Sequence, residues 1–157
     1  MTEHPRPQVV VSKCLGFEKC RYNGQVIPDS FVEKLGEYAD YITVCPEKEI
    51  GLGVPRDPIR IGKKNGDALH LVQPATGKDL TEKMRSFTDT FLSGLDSPDG
   101  FIMKNRSPSC GIHDVKIYHH LDKAANAERG KGFFGGRISD FFPGTAAEDE
   151  GRLKNFS

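Results

Sequence analysis

The apolar positions of this chain fall mostly into short runs separated by Gly, Pro and charged residues. Three such runs, rich in β-branched or aromatic side chains, predict strands near residues 8–13, 41–44 and 100–104. Between the first two, an apolar face recurs with helical spacing from about residue 28 to 39. A strand, a helix and a strand in this order form a right-handed crossover, so we expect the strands to be parallel.

A longer amphipathic segment, from about residue 79 to 95, predicts a helix that packs on this sheet. Its apolar residues are spaced by three or four positions, which is typical of a helix with one buried face; they are Leu80, Met84, Phe87, Phe91 and Leu95. Upstream, alternating polarity at 59–61 and 69–72 indicates a hairpin that turns at Asn65 and Gly66.

Together these elements predict an α/β fold, with a Rossmann-like, open and mostly parallel sheet flanked by helices. Ligands of such sheets bind beyond the carboxyl ends of the strands, so we expect the site there. The 157 residues fit one domain, which we assign to residues 8–147. Residues 1–7 are expected to form a flexible arm, and the acidic residues 148–157 a tail or a linker toward a further domain.

Composition narrows the class of protein only slightly. The 22 basic and 22 acidic residues cancel, so no overall field recruits nucleic acid or an anionic membrane, and RNA binding would need a local basic patch. No segment approaches the ~20 apolar residues of a membrane span, and the first eight residues lack the apolar stretch of a signal peptide. We therefore expect a cytoplasmic protein that does not bind membranes; the oligomeric state is not predicted.

Three cysteines stand where predicted strands end. Cys14 and Cys45 directly follow the first two strands, and Cys110 lies in the loop after the third. Because the carboxyl ends of parallel strands meet at one edge, the three thiols are expected to converge there. This arrangement favours a metal or cluster site, since a reducing compartment disfavours disulfides. The alternative is that each cysteine is simply a small buried residue of the core.

Five segments of the chain resemble the thiouracil desulfidase (TudS) family. They are Ser12-Lys13-Cys14-Leu15-Gly16, Cys20-Arg21-Tyr22-Asn23-Gly24, Cys45-Pro46-Glu47, Gly51-Leu52-Gly53 with Pro55-Arg56, and Ser107-Pro108-Ser109-Cys110-Gly111. The likeness spans about residues 8–118, and the combination is specific although each piece alone is weak. Beyond it, the chain is similar to the N-terminal domain of two-domain members that act on 4-thiouridine of transfer RNA.

The resemblance implies a [4Fe-4S] cluster held by Cys14, Cys45 and Cys110. Three ligands for four irons leave one iron open, and such a cluster can be lost in air. The implied reaction is a desulfuration without electron transfer, in which a thiolated pyrimidine, free as thiouracil or within tRNA, reacts with water and releases hydrogen sulfide. Glu47 matches the family's acid/base carboxylate, and Ser107 matches the serine that contacts the substrate or passes a proton.

Each of these residues also has a purely structural interpretation. Glu47 could cap a backbone turn or pair with Arg56, and Ser107 could simply form a turn. Cys20 could pack in the core, or it could be a fourth ligand that closes the site.

Three polar residues nearby are candidates for substrate binding: Arg21, Tyr22 and Asn105. Arg21 could instead pair with an acid across its loop. The segment 130–136 is rich in glycine but lacks the spacing of a phosphate-binding loop, so we do not assign it a nucleotide.

Two other functions remain open from the residues alone. Zinc could bind Cys14, Cys45, Cys110 and His113, as in a structural or hydrolytic site. The chain could also be a metal-stabilised binding module without catalytic activity.

Overall fold

The computed structural model describes residues 5–64, 66–119 and 127–154. Within these ranges the chain forms nine strands and five α-helices. Their bounds, in chain order, are β1 (Gln8–Ser12), α1 (Ser30–Leu35), β2 (Asp40–Val44), α2 (Pro46–Glu49), β3 (Arg60–Lys64), β4 (Ala68–Gln73), β5 (Lys78–Asp79), α3 (Thr81–Ser93), β6 (Gly100–Met103), β7 (Val115–Tyr118), β8 (Ala127–Gly130), α4 (Ile138–Phe141), β9 (Ala146–Asp149) and α5 (Glu150–Leu153).

The central sheet is entirely parallel, with strand order β2-β1-β6-β9. Its middle strands β1 and β6 carry continuous apolar side chains that are almost fully buried, as expected for a parallel sheet covered on both faces. The α/β class, the parallel central sheet and the flanking helices predicted from the sequence are confirmed. The carboxyl ends of β1, β2 and β6 lie at one edge, which is where the candidate site forms.

A second sheet, with order β5-β4-β3-β7-β8, mixes parallel and antiparallel pairs. It contains the predicted hairpin, formed by β3 and β4; Asn65 of its predicted turn lies outside the described residues. Helix α3 joins the two sheets, because Met84 packs in the apolar core of the second and Leu92 in that of the first. The predicted apolar stripe of this helix lies on its packed side, with Phe87 contacting both cores.

Helix α1 differs from its predicted bounds, and helix α2 was not predicted from the sequence. Helix α1 is shorter than the predicted 28–39, since the Asp29 carboxylate caps it by accepting from Val32 N at 3.0 Å and Gly36 ends it. Pro46 starts the short helix α2. Proline suits the first turn of a helix, because the N–H groups of that turn have no partner within the helix and proline has no N–H.

The described parts of both chain ends are held on the domain. Residues 1–4 and 155–157 lie outside the described residues, but Arg6 bonds Asp40 at 3.0 Å and the carbonyl of Ala39 at 2.9 Å, so this part of the predicted arm is held on the domain. Ala146–Asp149 pairs with β6, and the Asp149 carboxylate then caps α5 by accepting from Arg152 N at 2.8 Å. The sheet therefore extends past residue 147, into the segment predicted as a tail.

None of the helices in the described ranges combines the length and the apolar character needed to cross a membrane.

Candidate functional site

A cavity of about 450 Å³ opens at the carboxyl ends of β1, β2 and β6. It is lined by all the residues predicted as cluster ligands, catalytic groups or substrate-binding groups: Cys14, Arg21, Tyr22, Cys45, Glu47, Asn105, Ser107 and Cys110. They come from three separate segments, which follow β1, β2 and β6, so the fold alone brings them together. Cys20, Arg56 and Ser109 line the same cavity and were not assigned to the site from the sequence.

Each of the three predicted cysteine ligands is fixed by the end of a strand. Lys13 N donates to the carbonyl of Val44 at 2.8 Å, which sets Cys14 beside the end of β2. Cys45 is the residue immediately before α2. Cys110 sits in a tight turn after β6, where its N–H donates to Ser107 Oγ at 3.0 Å.

The thiols are buried, with 9% of Cys14, 8% of Cys45 and 5% of Cys110 exposed. Burial raises the pKa of Cys110 to about 12, against hydrogen bonds from Ser12 and Ser109 that lower it. The pKa of Cys45 is also raised, first by its hydrogen bond with Cys20 and then by burial. Such thiols stay protonated at neutral pH unless a cation draws off their protons, as a bound metal does.

Cys20 is a fourth thiol in the wall of the cavity. It is fully buried and forms one contact cluster with Cys14 and Cys45. A hydrogen bond with Cys14 is the main cause that raises its pKa to about 11. Its carbonyl also lies 3.7 Å from the Cys45 thiol. Cys110 belongs instead to the apolar core of the central sheet.

Glu47 is held between an arginine and a serine. Arg56 Nε donates to Glu47 Oε1 at 3.0 Å, and Ser109 Oγ donates to Glu47 Oε2 at 3.0 Å. Both partners are well buried, at 5% of the Arg56 side chain and 1% of Ser109 exposed. The carboxylate therefore has a fixed orientation at the cavity wall, and the pairing with Arg56 considered from the sequence is present.

The hydrogen bonds continue from Ser109 to Ser107. Their hydroxyl oxygens are 3.0 Å apart, and Ser107 Oγ also accepts from the N–H groups of Ser109 and Cys110 at 3.2 and 3.0 Å. Ser107 is thus the turn former considered from the sequence and also the first member of a chain of hydroxyls that ends at Glu47. Two serines spaced by one residue before a cysteine are the signal that could have identified Ser109.

The cavity wall is rich in cations. Its described lining residues include one carboxylate, that of Glu47, and five basic side chains. The basic residues are Lys13, Arg21, Arg56, Lys104 and Arg106. Arg21 lies over the ring of Tyr22, with 5.7 Å from its guanidinium carbon to the ring centre. Such a wall favours negative charge in the cavity.

The loop that carries Asn105 is held by the C-terminal segment. Glu150, only 8% exposed, accepts from Asn105 N at 2.9 Å and pairs with Lys104 Nζ at 3.1 Å. Glu150, which lies in the segment predicted as a tail or linker, thus supports the site.

His113 is not part of the cavity wall. Its Nε2 lies 3.5 Å from Glu148 Oε1, so the zinc site predicted with His113 as fourth ligand is not assembled. In the described ranges, no three His, Cys, Asp or Glu side chains are close enough together to hold a single metal ion. A four-iron cluster is larger than an ion, and its cysteine ligands are correspondingly further apart.

Thiols, a carboxylate and hydroxyls surround a cavity at the carboxyl edge of a parallel sheet. This arrangement defines the class of protein: an α/β protein that binds a thiol-ligated cofactor or metal beside acid/base groups. The profile of the 2-thiouracil desulfurase family matches residues 9–150, and the chain belongs to this family.

A curated protein and a solved structure are similar to this chain. The uncharacterized protein YbbK of Bacillus subtilis (strain 168) is 34% identical over 109 residues, which cover 66% of this chain and 72% of that protein. The solved structure of a [4Fe-4S]-dependent thiouracil desulfidase, TudS, superposes with a TM-score of 0.68 over 94% of this chain and 93% of that chain, at 24% identity. The latter likeness shows that the two chains share a fold.

Proposed function

We propose that this protein removes sulfur from a thiolated pyrimidine, thiouracil or the 4-thiouridine of tRNA, by hydrolysis without electron transfer, and that it releases hydrogen sulfide. The observation that carries the proposal is the convergence of three remote cysteines with Glu47 and Ser107 on one cavity. The family assignment and the description of TudS as [4Fe-4S]-dependent support it.

Cys14, Cys45 and Cys110 would hold the [4Fe-4S] cluster. The donor set fits this group, since cysteine thiolates are its usual ligands and the cationic wall favours the negative charge that they bring. When bound through three thiolates, the cluster supplies one iron with a free coordination position, a Lewis acid with affinity for sulfur. The four free thiols also fit a reducing compartment, and we place the protein in the cytoplasm.

Glu47 would act as the general base. In the balanced reaction, the oxygen of one water replaces the sulfur on the pyrimidine carbon, and both protons of that water leave with the sulfur as hydrogen sulfide. Glu47 accepts the first proton as the C–O bond forms and returns it to the departing sulfur. Its bonds to Arg56 and Ser109 keep one orientation through both transfers.

Ser107 would orient the substrate or pass a proton toward Glu47 through Ser109, as their 3.0 Å separation allows. Arg21, Tyr22 and Asn105 would bind the rest of the substrate. Tyr22 is 39% exposed at the mouth of the cavity, where its ring can stack on a pyrimidine. Arg21 beside it can donate to a carbonyl or a phosphate oxygen.

The test compares two isosteric substitutions on the same helix, Glu47→Gln and Glu49→Gln. Glu49 is exposed and lies outside the cavity wall, so it is the matched control. After anaerobic cluster reconstitution, we expect Glu47→Gln to lower sulfide release from 4-thiouracil by roughly a hundredfold or more, while Glu49→Gln changes it little. Equal rates for the two variants would show that the carboxylate does not act as the base.

Two further measurements check the cofactor and the substrate. Anaerobic protein should be brown and contain iron and sulfide; colourless, active protein that contains zinc instead would contradict the cluster. Sulfide release is then compared between 4-thiouracil and tRNA that carries 4-thiouridine. Turnover of neither would refute the proposed substrate class.

A further inference from the structure

The proposed reaction leaves one buried thiol without a role. Cys20 is 0% exposed and lines the same cavity as the three proposed ligands. It contacts both Cys14 and Cys45, so three of the four thiols form one group. Cys110 stands apart in the apolar core of the central sheet. Cys20 is therefore the common neighbour of two proposed ligands.

The loop that carries Cys20 is built to hold it there. Cys20 N donates to the carbonyl of Glu18 at 2.9 Å, and Arg21 N donates to the carbonyl of Gln25 at 3.3 Å, which closes a turn. The loop returns to its start through Ile27 N, which donates to the carbonyl of Cys14 at 2.7 Å. These bonds fold residues 14–27 back on themselves, with Cys20 directed inward.

We propose that Cys20 is the resolving thiol of the cluster-free protein: it forms a disulfide with Cys14 or Cys45 after a hydroperoxide has oxidised that cysteine. In the first step hydrogen peroxide converts the ligand thiol to a sulfenic acid and leaves as water. In the second step the sulfur of Cys20 attacks the sulfenic sulfur, an S–S bond forms, and a second water leaves with the proton of Cys20. Two thiols lose two electrons and one peroxide gains them.

The disulfide protects the site from irreversible damage. Without a neighbouring thiol, a sulfenic acid that meets more peroxide proceeds to sulfinic acid, which thiols do not reduce. A disulfide is reduced by thiol exchange, which returns both cysteines and allows the cluster to be rebuilt. Cys14 and Cys45 are 9% and 8% exposed on the cavity wall, where a molecule as small as peroxide can reach them.

The test uses cluster-free full-length protein treated with hydrogen peroxide and analysed by non-reducing peptide mapping. It is run at about pH 8.5, because the thiolate is the form of a cysteine that attacks peroxide. We expect a peptide that links Cys20 to Cys14 or Cys45 and has lost two hydrogens. Cys110→Ser is the matched control and should form the same link, because Cys110 lies outside the thiol group.

A second readout is iron uptake after the oxidised protein has been reduced with dithiothreitol. Wild-type protein should regain nearly all of its iron uptake. In Cys20→Ser, Cys14 or Cys45 should gain two oxygens, and the protein should lose at least half of its iron uptake. If the Cys20→Ser protein does not fold, Cys20→Ala takes its place. The peptide map of the wild-type protein tests the proposal without any variant. A Cys14–Cys45 link with Cys20 left as a thiol, or no link at all, would overturn the proposal. Neither readout depends on desulfurase activity, so failure of the proposed function is distinguishable.

Discussion

Arg56→Gln tests whether the Arg56–Glu47 pair supports the fold as well as the site. The two side chains are only 5% and 14% exposed, and their atoms are 3.0 Å apart. Removing one partner of a buried pair costs about 3–5 kcal/mol, because the other charge is left uncompensated. Glu47 faces an open cavity and keeps its hydrogen bond from Ser109, so we expect a smaller loss, roughly 1–3 kcal/mol.

The assay is thermal unfolding of cluster-free protein under anaerobic, reducing conditions. For a domain of this size, 1 kcal/mol corresponds to roughly 2–4 °C, so the Tm of Arg56→Gln should fall by roughly 2–12 °C. Arg85→Gln is the control: its pair with Glu82 is 52% and 88% exposed, and its loss should cost no more than about 0.5 kcal/mol. The double variant, Glu47→Gln with Arg56→Gln, lacks both charges, so it should recover part of the fall in Tm that Arg56→Gln causes alone.

Two results would refute this reasoning. Arg56→Gln could unfold at the same temperature as Arg85→Gln, which would mean that water in the cavity screens Glu47 completely. Alternatively, the double variant could lose the sum of the two single losses, which would mean that the two charges are not energetically coupled.

Three further substitutions test other parts of the structure. Ser109→Ala should lower kcat for sulfide release about tenfold with little change in KM, since losing a hydrogen bond to a charged group costs roughly 1.5 kcal/mol; unchanged steady-state kinetics would contradict this. Gly135→Ala puts a Cβ 2.3 Å from a backbone oxygen and should lower the Tm by several degrees, whereas Gly144→Ala, with no described heavy atom within 4 Å, should not; equal Tm values would exclude the clash. Partial burial would raise the pKa of Asp79, but hydrogen bonds from Thr81 and a nearby imidazole lower it from 3.8 to about 2. A folded-state pKa below that of the unfolded chain stabilises the fold above about pH 4, and this is lost as the pH falls toward 2; Asp79→Asn should flatten the fall in Tm over that range, and an unchanged profile would refute it.

The central sheet and the position of the site could be predicted because they depend on short-range patterns. β-branched runs mark β1 and β2, and parallel strands place whatever follows them at one edge. The structure at Pro46 was harder to predict, since proline both disrupts a strand and can begin a helix. Which of the two applies depends on how Cys45 leaves the sheet, and that is decided by tertiary contacts.

The C-terminal strand could not be recognised from its own residues. Glu148, Asp149 and Glu150 have the composition of a solvated tail, and β9 has only Ala146 and Ala147 as apolar residues. What places them is a set of remote partners: the backbone of β6, and Lys104 for Glu150. The sequence shows how many charges a segment carries. Whether one of its carboxylates is buried depends on a cation that lies far away in the sequence.

The glycine-rich segment 130–136 shows how a motif without a ligand can still serve a site. A Cβ on Gly132 would lie 2.5 Å from the carbonyl oxygen of Ser109, and one on Gly135 would lie 2.4 Å from that of Cys110. The N–H groups of residues 134 and 135 also donate to Ser109 O, each at 2.9 Å. Glycine is required because two backbones meet here without room for a side chain. The segment therefore closes over the turn that carries Cys110 and fixes this cysteine relative to the other thiols, which explains the glycines without a bound phosphate.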